Sequence, residues 1–437
     1  MNPRRAHAAD SAAHRSRKRA NVRLPVFRWR GAMTSEVLRR GVLAAAAGAL
    51  ALVVGACSSD GGTGAADAAA PAGGSGEITV GLLTTMTGPA GLFGPPTKNV
   101  AELAIDEINA AGGVGGRKVR LVVGDDAGNP DTGKQVMRRL VQSDGASVVV
   151  GMHNSATREA ALPVAVQAKT LYLYTPVFEG GACNAVMFAN GEVPSQQLAK
   201  TIPWVMQQTG KKRWYLLGND YVWPRKSFEA AKRYITAAGG EVVGEDYTPL
   251  GTTDFQSVIQ KVQKAGPDLL LPALVGGDGI TFEKQAYDAG LGNDEVQRLS
   301  VLYEDNTRAA MGARVAAGMY TSLGYFQEVD NPTNTAFLAA YRQKFGADAS
   351  PVTSLSEQTY VAIKAWAQAA NAAGGTDVAK VTEKLKGMSL DAPAGKVTFG
   401  VNRYATQPIY IAQTQSDGTT KIVQTYEGVT PEEPCDA

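Results

Sequence analysis

Hydrophobic positions along residues 77–302 fall into two kinds of run that take turns. Short blocks of consecutive apolar, mostly β-branched residues, such as Val148-Val149-Val150, give way to small polar loops and then to segments with apolar side chains three and four apart. In residues 97–111, Val100, Leu103, Ala104 and Ile108 share one helical face, and Gly112-Gly113 stops the helix. Strands are expected at 77–83, 119–123, 148–150 and 171–174, with helices over 97–111 and through 136–141 and a third beginning near Asn154. A helix from Pro194 to 208 leads to a second series: strands at 214–217, 241–247, 268–274 and 299–302, and helices at 228–238, 255–265 and 281–289. The remainder predicts a strand at 318–322, helices at 333–345, 355–373 and 378–386, and a tail of strands at 396–399, 408–413 and 421–424. Alternation of this kind builds parallel sheets covered by helices, and 437 residues exceed one ordinary core, so two α/β lobes are expected.

Residues 148–180 are the centre of this pattern. A buried strand spills into Asn154, Ser155 and Thr157, where Asn154 or Ser155 caps the next helix and leaves its first N–H groups facing the loop. A second strand ends in Tyr174, Thr175 and Pro176, so two neighbouring strand ends border one crevice, the place where open α/β sheets bind ligands.

The N-terminal part has a different grammar. Residues 39–57 run from Arg39-Arg40 through an apolar stretch of about 13 residues to Cys57, too short to span a bilayer and typical of an export signal. Val54-Gly55-Ala56-Cys57 resembles the lipobox of bacterial lipoproteins, which implies cleavage and a lipidated Cys57. Met33 offers an alternative start, and the Arg pair alone does not separate the Sec from the twin-arginine route. Residues 58–76 lack any large apolar side chain and are expected to form a flexible tether, placing the folded body outside the membrane.

Charge and composition narrow the chemistry. Lys and Arg total 43 against 41 Asp and Glu, which argues against a nucleic-acid partner. Three cysteines and three histidines, of which only His153 lies in the folded part, leave no spacing for a metal site or a His-based triad. Asp125-Asp126, without a third carboxylate nearby, reads as a solvated turn. No cofactor is expected.

Several segments, VGLLTTMTGPAGLFG, ELAIDEINAAGGVGGRKV, VVVGMHNSATREAALPV, YLLGNDYVWPRKSFEAA, DYTPLGTTDF and DAPAGKVTFG, together resemble the type I periplasmic binding proteins of ABC importers for branched-chain amino acids, urea and short amides. GNDYVWPR, YTPLGTTDF and DAPAGKV lean towards the urea and amide branch, although His153 stands where that branch commonly carries an aromatic. The resemblance implies two α/β lobes, each a parallel-sheet sandwich, joined by three crossovers and closing on ligand by a hinge. It assigns 77–193 with about 326–390 to the first lobe, 194–325 with about 391–426 to the second, and 427–437 to a tail. Carried over residue by residue, it implies ligand contacts at Met86, Thr87, His153, Asn154, Ser155, Tyr174, Thr175 and Pro176 from the first lobe. From the second it implies Tyr221, Trp223, Gly277, Asp278, Tyr303 and Glu304, with Asp305 as the neighbouring alternative for the acid. The Ser155 hydroxyl is expected on a ligand oxygen and Glu304 on an ammonium or NH₂. With Cys57 lipidated in an oxidising compartment, Cys183 and Cys435 are expected to pair.

The function implied is a lipid-anchored, monomeric solute-binding protein that delivers urea, a short amide or an amino acid to an ABC permease. A ligand sensor of the same fold is the alternative, which the lipobox disfavours. An amide hydrolase is a weaker one, since Ser155 has only His153 near it in sequence and no orienting acid.

Overall fold

A computed structural model of the chain describes residues 76–433 and Cys435. The expected export signal with Cys57, and the tether as far as residue 75, lie outside the described residues. The first half of the alternation is β1 (Ile78–Thr84), α1 (Gly94–Ala110), β2 (Val119–Asp125), α2 (Pro130–Gln142), β3 (Ala146–Met152), α3 (Ser155–Ala168), β4 (Leu171–Tyr174) and β5 (Met187–Ala189). These strands form one parallel sheet in the order β2-β1-β3-β4-β5, with Ile78 opposite Val119 and Val148 opposite Leu171. Buried Val80, Leu82, Val148, Val150 and Leu173 fill one face of the sheet, against which helix α1 packs Ala101, Ala104 and Ile108.

The second series is α4 (Pro194–Leu198), α5 (Thr201–Thr209), β6 (Arg213–Asn219), α6 (Val222–Ala237), β7 (Glu241–Thr248), α7 (Gln256–Ala265), β8 (Leu269–Ala273), α8 (Gly277–Asp288), β9 (Gln297–Ser300), α9 (Asp305–Met311), α10 (Ala313–Ala316) and β10 (Tyr320–Leu323). The chain then adds α11 (Pro332–Phe345), α12 (Ser354–Ala373), α13 (Val378–Leu385), β11 (Ser389–Ala392), β12 (Gly395–Phe399), β13 (Ala405–Thr414) and β14 (Thr420–Val429). Strands β7-β6-β8-β9-β10 run parallel, and β13 joins them antiparallel with Tyr320 opposite Gln413. Helix α12 returns to the first lobe, burying Val361, Ala362, Ala365 and Trp366 in the core that holds β1 and β3.

The chain passes between lobes three times: after β5, after β10, and along β13. The third passage corrects the boundary expected near residue 391. Ala392, Val397, Phe399 and Ala405 pack into the first-lobe core, whereas Ile411 and Ala412 further along β13 pair with β10. At the first passage Gly191 admits a close approach, since a Cβ there would stand 1.8 Å from the Pro176 carbonyl oxygen.

Local chemistry explains where several boundaries move. Helix α1 begins at Gly94, three residues before the apolar periodicity, because Pro95 and Pro96 occupy first-turn positions whose N–H groups have no helical partner anyway. The same logic lets α6 start at Val222, with Pro224 in its first turn, rather than at 228. The expected helix at 194–208 is two helices, and α8 starts at Gly277, so Gly277 and Asp278 belong to a helix rather than a loop. Short β5, α9 and β11 were not anticipated. Asn129, Asn154 and Thr353 cap α2, α3 and α12 through their side-chain oxygens. No helix among the described residues is long and apolar enough to cross a membrane.

Candidate functional site

Between the lobes lies a partly open cavity lined by thirteen residues. The first lobe contributes Thr85, Ala90, Phe93, Met152, His153, Asn154, Pro176, Val177 and Leu355; the second contributes Tyr221, Trp223, Val275 and Leu302. Two hydrogen bonds seal the rim across the lobes: Gly277 N–H donates to Pro89 O (2.9 Å) and Asn306 Nδ2 to Leu92 O (3.2 Å). Gly276, at φ 53° and ψ −118°, makes this approach possible, since a Cβ would meet the Pro89 oxygen at 2.3 Å.

The polar groups of the first wall are already bound to one another. His153 is buried, with Nε2 2.8 Å from the Tyr172 hydroxyl and Nδ1 3.1 Å from Asn154 O. Burial pushes its pKa down, so the ring is neutral at pH 7, and the pairing fits a proton on Nδ1 and a lone pair on Nε2 facing Tyr172. Tyr174 donates to His153 O at 2.8 Å, and burial raises its pKa far beyond the neutral range. Thr85 donates to the carboxylate of Asp126, which also accepts from Gly128 N–H. Asp126 is fully buried, which corrects the expectation of a solvated turn.

Asn154, the N-cap of helix α3, lies on this wall. The Asn154 side chain takes the Thr157 N–H at 2.8 Å and its carbonyl takes the Arg158 N–H, while the first two N–H groups, of Ser155 and Ala156, have no acceptor among the described residues. Such a terminus with free donors favours an oxyanion. Behind it, Glu179 accepts from Ser155 Oγ and from Arg158 Nη2, both at 2.6 Å, in a buried cluster. The Ser155 hydroxyl, expected on a ligand oxygen, is engaged by Glu179. Sequence gave no sign of this partner, because Glu179 lies 24 positions away on an irregular loop.

The other expected contacts divide sharply. His153, Asn154, Pro176, Tyr221 and Trp223 line the cavity. Met86 and Thr87 instead serve the β2–α2 turn, where Met86 N–H and Thr87 Oγ donate to the two oxygens of Asp125 at 2.8 and 2.7 Å. Thr175 is buried against Gly151 O and Thr359. The Asp278 carboxylate holds Asn219 Nδ2 (2.7 Å) and Gly251 N–H (2.9 Å), tying loops of the second lobe together. Tyr303 is wholly buried in a small second-lobe cluster with Met311, Ala316 and Met319. Glu304 is buried too, accepting from Leu355 N–H at 2.7 Å, and Asp305 is paired with Arg308. No carboxylate is among the cavity-lining groups. The apolar liners Phe93, Val275, Leu302 and Leu355 escaped sequence reasoning because nothing distinguishes them from core residues before the lobes meet.

Cys183 and Cys435 are joined as a disulfide, with Cα atoms 5.3 Å apart, attaching the tail after β14 to the loop beyond β4. A larger groove of about 950 Å³ runs beside α3 past Leu162, Gly181 and Lys226; it opens to solvent and lies outside the cavity both lobes enclose. Among the described residues no group of three or more His, Cys, Asp or Glu is placed to hold a metal ion.

Comparison with known proteins agrees with this geometry. Residues 77–419 match the family model described as periplasmic binding protein. Leu/Ile/Val-binding protein homolog 3 of Brucella melitensis is 26% identical over 358 residues, covering 79% of this chain and 93% of that protein. BraC3, a Leu/Ile/Val-binding protein of Rhizobium johnstonii, is 26% identical over 340 residues, covering 74% and 88%. Among solved structures, an ABC-transporter solute binding protein of Rhodopseudomonas palustris in complex with 3,4-dihydroxybenzoic acid superposes with a TM-score of 0.72 at 26% identity, covering 81% of this chain and 98% of that one.

Proposed function

The chain belongs to the periplasmic binding proteins, and we propose that it is the solute-receiving component of an ABC importer whose solute carries a carboxylate on an apolar body. The observation that carries this reading is the composition of the interlobe cavity: ten of its thirteen lining residues are Ala, Phe, Met, Pro, Val, Leu, Tyr or Trp, and its polar end is the N-terminus of α3. An anion is favoured at that end by the positive end of the 14-residue helix that Asn154 caps. Burial of the solute's remainder against Phe93, Trp223, Val275 and Leu302 contributes roughly 25 cal/mol for each Å² removed from water.

Chemistry shared by the relatives' ligands points the same way. Leucine, isoleucine and valine, named for the Brucella and Rhizobium proteins, and the dihydroxybenzoic acid held by the Rhodopseudomonas protein all join a carboxylate to an apolar body. Aromatic or branched aliphatic carboxylates therefore take precedence over urea and short amides, which have no apolar body to bury. The engagement of Glu304 with Leu355 N–H, away from the cavity, favours a carboxylate without an ammonium group over an amino acid.

Lipid attachment at Cys57, a tether over 58–76, monomeric action on the outer face of the membrane and delivery to a permease complete the proposal. Binding without chemical change is part of it, since the Ser155 hydroxyl faces Glu179 and both nitrogens of the His153 ring are engaged elsewhere. A thermal-shift screen of 4-hydroxybenzoate, benzoate, L-leucine, urea and acetamide tests it: the carboxylates should raise the melting temperature and urea and acetamide at the same concentration should not.

A further inference from the structure

Three buried glutamates gather where the lobes join, and none belongs to the cavity. Glu192, on the first passage, accepts from Gly324 N–H on the second passage and from Ser354 Oγ (3.0 Å) at the start of α12. Glu304, in the loop after β9 of the second lobe, accepts from Leu355 N–H (2.7 Å) in the first turn of α12, which packs on the first lobe. Glu357, one turn further along α12, accepts from Ala394 N–H (3.1 Å) in the β11–β12 turn. Each is at most 1% exposed, and the second carboxyl oxygen of each is buried without a partner among the described residues.

A carboxylate buried with one oxygen unpartnered and no cation beside it is far more costly than a neutral carboxyl group in the same place. The surroundings offer no relief. Asp305 and Glu192 face Glu304, and Glu192 faces Glu357. Tyr325, Tyr360 and Tyr410 also lie within the field of Glu357, with Glu328 and Arg342 further out beside Tyr325. The nearby cation, Arg308, is taken by Asp305, Tyr303 O and Thr420. Burial, set against the Leu355 N–H and reinforced by Asp305 and Glu192, pushes Glu304 up to about 8; burial likewise pushes Glu357 up to about 8 and raises Glu192.

We propose that Glu304 and Glu192 are positioning residues of the cleft: as neutral carboxyl groups they hold the lobes closed over the solute, and their ionisation opens the cleft. The proposal rests on the solute-binding reading of that cleft. Leu355 carries the connection, since its N–H is held by Glu304 while its side chain lines the cavity beside Leu302. Separating the lobes breaks the Glu304–Leu355 bond and opens the joint around Glu192 to water, and the hydrated carboxyl groups then ionise in the ordinary glutamate range. The closed form therefore binds protons that the open form releases. Closure is fully supported below that ordinary range, weakens as pH rises towards the closed-form value near 8, and changes no further above it.

The test uses the full chain, with 4-hydroxybenzoate and L-leucine as probes, in calorimetric titrations at intervals from pH 5 to 9. For a probe that binds, affinity of the unaltered protein should fall at least about tenfold from pH 5.5 to 8.5. Glu304→Gln, which reproduces the neutral group, should flatten that fall and bind more tightly than the unaltered protein at pH 8.5. A level profile in the unaltered protein, or an equally steep one in Glu304→Gln, overturns the proposal. Small-angle scattering without added probe provides a reading that does not depend on a ligand. The radius of gyration should grow between pH 5.5 and 8.5 in the unaltered protein and grow less in Glu304→Gln, where Glu192 still responds; constancy in the unaltered protein, or equal growth in both, overturns the hinge proposal. Failure of both probes to bind at every pH counts against the solute reading instead, and leaves the scattering result to decide the hinge. If Glu304→Gln does not fold by circular dichroism, Glu192→Gln takes its place.

Discussion

The three polar side chains of the cavity, Thr85, His153 and Asn154, all come from the first lobe, beside six apolar liners, and are already satisfied by groups behind them, whereas the second lobe contributes aromatic and aliphatic residues alone. Thr85 is bound to Asp126, His153 to Tyr172, and Asn154 to the backbone of α3. Across the gap stand Tyr221, Trp223, Val275 and Leu302, and the indole N–H of Trp223 is buried without an acceptor among the described residues. On the proposed reading, the satisfied polar groups receive the polar end of the solute and the second wall gains its burial on closing. The same contrast appears in the two buried Arg–Glu pairs. Arg298 and Glu283 are locked inside the second lobe with Gly292 O and Val296 O, whereas Arg158 and Glu179 stand directly behind the α3 terminus and hold Ser155.

The largest effect that would break this comparison comes from Arg158→Met. Leaving Glu179 buried without its cation should lower the unfolding free energy by about 3–5 kcal/mol in denaturant titrations; a loss under about 1 kcal/mol would mean that the polar wall does not depend on the pair. Next is Trp223→Ala, which removes the largest side chain of the cavity lining. It should cost about 2 kcal/mol of binding free energy for 4-hydroxybenzoate, roughly thirtyfold in affinity, against little change for a first-lobe polar substitution that only loosens a cap. Gly276→Ala should weaken binding by about tenfold, because its Cβ would strike the Pro89 carbonyl only when the lobes are shut, while the positive φ adds strain of about 1–3 kcal/mol to the loop itself. Comparing its melting temperature with and without ligand separates those two contributions. Asn154→Ala should have the smallest effect, about 1 kcal/mol of stability from the lost cap, read from the same denaturant titrations.

How much of this was legible in the sequence depended on whether a property was local. The alternation of β-branched runs with amphipathic segments placed β1 to β4 and β6 to β9, since each buries its own pattern within a few residues. Asn154 as a cap was legible for the same reason. Helix starts at Gly94, Val222 and Gly277 were missed because first-turn residues need no apolar spacing. Of the positions expected at the cleft, those at a strand end, His153, Asn154 and Pro176, line the cavity, while along the first loop Thr85, Ala90 and Phe93 line it in place of Met86 and Thr87. Glu304 illustrates the deeper limit: an acid in a loop looks like a ligand contact until tertiary packing supplies Leu355 N–H from a helix 51 positions away. The boundary along β13 was hidden likewise, because a single strand serves both lobes and its alternation is the same in each.

The claim on which the rest depends is that one small carboxylate occupies the space between Trp223 and the α3 terminus and is held there by closure. Calorimetric titration of 4-hydroxybenzoate into the unaltered protein and into Trp223→Ala, with urea as the control solute, tests it most directly. The account predicts saturable binding with a stoichiometry of about one, a negative heat-capacity change from apolar burial, a roughly thirtyfold loss in Trp223→Ala and no heat from urea. Tight binding of urea, or affinity for the carboxylate that is indifferent to Trp223, would contradict it.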